Sequence, residues 1–277
     1  MMRFQIVPYY ASQYLWILYI AIPIVCSILI PKTTSRIQIC SRSEQFNNSE
    51  NPIIFAHLSD SHINSIHPSS IDAFKQMIPL LHYTSPQFII HTGDIVDNYN
   101  SLTIFRYGDQ DEQSWSIYKD LLTQLPEIPI IEMVGNHDIF GIKSVTSHKN
   151  HIIDYTSFYN RDNVKNDADF TVKSFSPGPS LPTVIVINPI KFPTAHPPLH
   201  LYVQHPTELL DQLESEINKS QTQVILASHF PIGSIHSKKS SSGRRFIDII
   251  GSDDSVIAFL SGHSHPSEPK VYHHGKG

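Results

Sequence analysis

Ten residues of this sequence have types and spacings that could do chemistry. They fall in five short clusters: Asp60-Ser61-His62, Asp94-Ile95-Val96-Asp97, Asn136-His137-Asp138, His229, and His263-Ser264-His265. Each cluster follows a short apolar run. Carboxylate, amide and neutral imidazole donors suit Zn, Mn or Fe, and the lack of thiolate disfavours a purely structural zinc. Asp60 and His62, at i and i+2, would point the same way from an extended backbone, so both can face one cation. His263 and His265 can do the same from a single turn. One carboxylate can bridge two cations, which then sit about 3.5–4 Å apart and lower the pKa of a shared water towards neutrality.

Each cluster alone has a plainer reading. Asp-x-His is usually just a turn. Asp97 could be a helix cap. A single His229 is most simply a satisfied core histidine. "IIEMVGNHDIFG", residues 130–141, could be a surface turn. Five such clusters in order, each after an apolar run, make the metal-site reading. Glycines before Asp94, Asn136 and His263 permit tight turns and close backbone approach there.

The elements that must position these clusters alternate. Strands are expected over 53–60, 88–94, 128–134, 224–229 and 256–263, with a strand pair over 170–175 and 183–188. Helices are expected from Ser69 or Ser70 to about Tyr83, over 111–125, over 148–160 and over 207–219. This alternation implies a layered α/β domain with a largely buried sheet. Ligands of open α/β sheets bind outside the carboxyl ends of the strands, where the clusters lie.

Residues 15–30, "LWILYIAIPIVCSILI", carry no charge. A spanning helix needs about 20 apolar residues and at least about 17, so this run is short. The expectation is a signal-anchor, with a cleaved signal peptide or a buried core helix as alternatives. The domain organisation is then 1–31 as anchor or signal, 32–51 as a polar tether, and 52–277 as the α/β domain that carries the five clusters. The chain would meet a membrane through residues 14–31, with the domain lumenal or extracellular, or be secreted if the segment is cleaved. Asn47 and Asn218 open acceptor sequons usable in that compartment.

The composition excludes little but is consistent. Twenty Lys and Arg against 25 Asp and Glu give a net charge of -5, with no large basic patch for nucleic acid. A chain of 277 residues with 40% hydrophobic content can bury one sizeable core. Cys26 and Cys40 cannot form a disulfide framework and are not placed for a cysteine metal site.

The ordered clusters resemble the calcineurin-like metallophosphoesterases over about residues 53–266. The resemblance implies a four-layer α/β/β/α sandwich and a dinuclear centre of divalent or trivalent ions (Mn, Fe or Zn). It implies one metal on Asp60, His62, Asp94 and His265. It implies a second on Asp94, Asn136, His229 and His263, with Asp94 bridging. His137 would face the substrate phosphate or leaving group, and Asp138 would orient His137. The activity implied is hydrolysis of a phosphodiester or phosphomonoester by hydroxide generated at the metals. A scaffold of the same fold that binds metal but has lost catalysis, acting in membrane-associated assembly, is the alternative.

Departures narrow the resemblance. Protein serine/threonine phosphatases carry Arg shortly after the second cluster and Glu after Asn-His, where this chain has Asn98 and Asp138. Ile95 and Val96 stand where purple acid phosphatases carry their coloured tyrosine ligand. The apolar segment before the domain and "GNHDIFGI" resemble the transmembrane protein 62-like group. Members of that group continue into further helices, whereas this chain ends 12 residues past His265. The expectation is a fragment or shortened relative with an uncovered sheet edge. "KKSSSGRR", residues 238–245, reads as a solvated basic loop or an anion contact, and the stretch 192–206 as a proline-rich connection that could offer His196 or His200.

Overall fold

The computed structural model describes residues 5–8, 16–21, 53–97, 111–139, 142, 150–156, 172–188, 206–231 and 238–265. The expectations for the tether, His196, His200 and the two cysteines fall outside them.

Two sheets organise the chain. The first has the order β1-β2-β3-β4-β5, from Gln5–Pro8, Trp16–Ala21, Ile54–Ser59, Phe88–His91 and Ile130–Glu132. β3, β4 and β5 run parallel, and β2 closes the outer side of β3 in antiparallel register. The second has the order β6-β7-β8-β9, from Val172–Phe175, Thr183–Ile187, Val224–Ser228 and Val256–Ser261. Its last three strands are parallel, and β6 pairs antiparallel with β7, as the sequence pattern implied.

Trp16–Ala21 is part of the apolar run expected to anchor the chain, and these six residues form a strand paired with β3. Ile17, Tyr19 and Ile20 are β-branched or aromatic, the types a pleated surface accepts best. The outer side of β3 is thereby paired, and among the described residues β9, which precedes the last cluster, ends the second sheet. The rest of the run lies outside the described residues. Among the described residues no helix is long and apolar enough to cross a membrane.

Helices cover the sheets. α1 spans Pro68–Thr84 and opens on proline, whose fixed φ suits the first turn, so it begins earlier than a serine cap would place it. α2 spans Glu112–Leu122, with the Asp111 side chain accepting from the Gln113 and Ser114 backbones. α3 is a single turn, Ile152–Tyr155. α4 spans Pro206–Lys219, and α5, Phe246–Ser252, is a short helix the sequence pattern did not reveal.

The side-chain alternation of the second sheet divides the core. Val184, Val186, Ile225, Ala227, Ala258 and Leu260 join the cluster formed by the first sheet with α1 and α2. Ile185, Ile187, Val224 and Leu226 point the other way, into a cluster with Leu209, Leu210 and Leu213 of α4 and Phe246 and Ile249 of α5. A period of two across a sheet covered on both faces produces this division. The result is a mixed α/β fold in which the carboxyl ends of five parallel strands carry the five clusters.

Candidate metal centre

Five of the seven described non-glycine residues with positive φ are Asp60, His62, Asp94, His263 and His265. Left-handed backbone is uncommon for such residues and persists where the surroundings over-determine it. It also corrects an expectation: Asp60 and His62 do not reach a common point from an extended backbone. Their φ values are 53 and 43, so the chain turns sharply at each. The turn is fixed by backbone bonds from Asp60 N to the Gly93 carbonyl at 3.0 Å and from His62 N to the Asp94 carbonyl at 3.0 Å.

The side chains converge. Asp60, His62, Asp94 and His265 form one group whose ligand atoms lie within 4.8 Å of one another, and Asp94, His229 and His263 form a second. Asp94 belongs to both. Its Oδ2 lies 3.7 Å from His62 Nε2 and 3.3 Å from His229 Nε2. Asn136 joins the second group, with Oδ1 3.0 Å from His229 Nε2. His265 Nε2 lies 2.8 Å from Asp60 Oδ1 and 3.3 Å from His62 Nε2. All seven expected ligands are thus brought together.

Burial makes the charge problem acute. Asp60 and Asp94 are each 1% exposed. Burial pushes both carboxyls up, yet the net direction is down. The His265 hydrogen bond and the charge of His229 hold Asp60 low, and the charges of His229 and His137 hold Asp94 well below the usual range. Burial likewise opposes charge on His229, but Asp94 overcomes it and raises that imidazole to about 9. For His62 burial outweighs the charges of Asp94, Asp60 and Asp97 and lowers it to about 4. Two buried carboxylates facing converging imidazole nitrogens form a donor set that fits two cations, since unpaired buried charge is costly.

His137 stands at the edge of this centre, its side chain 25% exposed. Its backbone N–H donates to Asp94 Oδ1 at 2.8 Å, and its ring meets that of His62 edge-on with centroids 4.6 Å apart. Its Nδ1 lies 2.9 Å from Asp97 Oδ1. Asp138 was expected to orient His137, and the carboxylate found beside the ring nitrogen is Asp97. Asp138 instead accepts from the backbones of Ile95 at 2.8 Å, Val96 at 3.0 Å and Gly135 at 2.8 Å, so it ties the second cluster to the third. Asp97 was visible as part of the second cluster, but its partner lies 40 residues away.

The basic loop at 238–245 is built into the surface. Arg244 pairs with Glu214 and Arg245 with Asp248, while Ser241 Oγ donates to Asp211 at 2.5 Å. Both arginines are engaged with carboxylates, which supports the plainer reading of this loop.

The family model of the calcineurin-like phosphoesterases matches residues 53–267, and the chain belongs to that family. Among solved structures it is similar to a dimetal phosphatase from Danio rerio, at 15% identity and a TM-score of 0.49, covering 76% of this chain and 81% of that one. It is also similar to a purple acid phosphatase from yellow lupin (Lupinus luteus) seeds, at 13% identity and a TM-score of 0.46, covering 90% of this chain and 43% of that one. No curated protein matches.

Proposed function

We propose that this chain is a phosphoester hydrolase with a dinuclear metal centre, acting on a phosphodiester or phosphomonoester. The observation that carries the reading is the position of Asp94, whose Oδ2 faces a nitrogen from each ligand group. Asp60, His62, Asp94 and His265 would hold one ion, and Asp94, Asn136, His229 and His263 the other. The ions, when bound, supply Lewis-acid activation of water and of the phosphoryl group.

The chain's own residues supply the rest. Asp97 holds His137 through Nδ1, which leaves Nε2 on the side of Asp94, 4.0 Å from its Oδ2. Burial disfavours charge on His137, but Asp94 and Asp97 raise its pKa on balance. A protonated imidazole there can neutralise a phosphoryl oxygen and give a proton to the leaving alkoxide. Asn136 would offer its amide oxygen, 3.0 Å from His229 Nε2, to the second ion. The layering, in the order helix, sheet, sheet, helix, is our reading of the two core clusters.

Hydrolysis of chromogenic phosphomonoesters and phosphodiesters by the purified chain tests this. Turnover should vanish with a chelator and return with Mn²⁺. A folded chain carrying two ions and hydrolysing neither ester would contradict it and favour a scaffold.

We further propose the finer resemblance to the transmembrane protein 62-like group, and membrane attachment through residues 14–31. Attachment would require Trp16–Ala21 to leave its pairing with β3. Alkaline extraction of membranes from expressing cells decides between retention and release. A lumenal domain would carry glycan at Asn218, which lies exposed near the end of α4.

A further inference from the structure

β3 carries a histidine that its apolar pattern does not call for. His57 lies between Ala56 and Leu58 and is 5% exposed. Its Nε2 sits 2.9 Å from Thr92 Oγ1. Thr92 Oγ1 has two acceptors in reach, Ser59 Oγ at 2.8 Å and the Leu58 carbonyl at 3.4 Å, and the shorter bond goes to Ser59. Ser59 Oγ in turn donates to Asp60 Oδ2.

The direction of the chain follows from its proton count. Ser59 must donate, because Asp60 is a carboxylate and can only accept. Ser59 therefore accepts from Thr92, and Thr92 accepts from His57. That fixes the proton of His57 on Nε2. Four groups thus line up one way and end on Asp60 Oδ2, while Oδ1 receives His265 from the other side. Gly262 permits this approach, since a Cβ there would overlap Ser59 Oγ.

Thr92 also serves the other half of the centre. Its backbone carbonyl accepts from His229 Nδ1 at 2.9 Å, which leaves His229 Nε2 directed at Asp94 and Asn136. One residue thus reaches Asp60 through its hydroxyl and His229 through its carbonyl. Partners behind the ligands orient them and tune their basicity.

We propose that Thr92 is a positioning residue with two separable functions: its hydroxyl, with His57 and Ser59, sets the cation affinity of the Asp60 half-site, and its carbonyl orients His229. The proposal rests on the dinuclear reading. The two are tested together by titrating Mn²⁺ into the metal-free full chain.

Thr92→Val removes the hydroxyl and keeps the carbonyl. It should weaken one of two ions by about 10–100-fold and leave the other as in the wild type. Thr92→Ser restores the hydroxyl and should bind both normally. Both affinities unchanged in folded Thr92→Val, or both weakened equally, would overturn the proposal. A wild-type chain that binds no Mn²⁺ would instead overturn the dinuclear reading. Should Thr92→Val lack a cooperative melt, Ser59→Ala breaks the same chain one link later and carries the same two outcomes.

Discussion

Nδ1 of His137 lies 2.9 Å from Oδ1 of Asp97, across the gap between the turns that follow β4 and β5. The contact leaves Nε2 as the imidazole nitrogen nearer the shared carboxylate, 4.0 Å from Asp94 Oδ2. Asp97→Asn should keep both ions and the fold, and lower kcat by about 10–100-fold with a smaller change in KM. Asp138→Asn should instead act on stability and metal content, because Asp138 gathers three backbone N–H groups. Steady-state kinetics normalised to bound metal separate the two. Equal kcat losses at equal metal content would contradict the division of labour.

Gly135 packs where a Cβ would overlap the Asp94 side chain and backbone N. That neighbour cannot yield without moving the shared carboxylate. Gly135→Ala should cost about 1–3 kcal/mol from overpacking and weaken both ions. Gly178, where a Cβ would meet Leu181 only at 3.4 Å, should accept alanine with little change. Thermal melts and metal titrations of the two variants make the comparison.

The five strand ends were legible because each ligand cluster interrupts an apolar run, a local signal. Their ordered recurrence carried the family, and the expected ligand atoms lie close together in the structure. What was not legible depends on pairings distant in sequence. Asp97 reaches His137, and Asp138 reaches the backbones of Ile95 and Val96, only through the packing of turns 40 or more residues apart. His57 and Thr92 meet across two adjacent strands, 35 residues apart. α5 was hidden because seven residues are too few for a helical period, and its first turn is secured by Asp248 accepting from Arg245 N at 3.0 Å. The N-terminal run has a composition that suits an anchor as well as a strand, and composition alone does not choose.

Metal binding should be linked to protons through His229. With its pKa raised to about 9, this imidazole is protonated in the metal-free chain at neutral pH. A cation at Nε2 must displace that proton. Affinity should therefore rise with pH, by up to about tenfold per unit below 9. Calorimetric titrations at pH 6, 7 and 8 in buffers of different ionisation heat measure both the slope and the released proton. An affinity independent of pH would contradict this protonation state.

Acid stability should depend on His57 and His91. Burial lowers them to about 4 and about 3, so both are neutral in the folded chain. For His91 the geometry agrees, because Nδ1 accepts from the Gly93 backbone at 3.2 Å. The unfolded chain takes up these protons first, near pH 6.5. Stability is therefore complete above about pH 6.5 and falls as the pH drops towards 4, by about 1.4 kcal/mol per unit for each histidine. In urea melts of the metal-free chain, His57→Gln should show a shallower slope by that amount. An unchanged slope would mean that His57 is not held neutral.

The central claim is that one carboxylate, Asp94, serves two ions. Counting bound Mn²⁺ per chain in the wild type and in Asp94→Asn, both shown to be folded, tests it most directly. The account predicts two ions in the wild type and the loss of both in the variant, with phosphoesterase activity lost alongside. A variant that keeps one ion at full affinity, or both, would contradict a shared ligand.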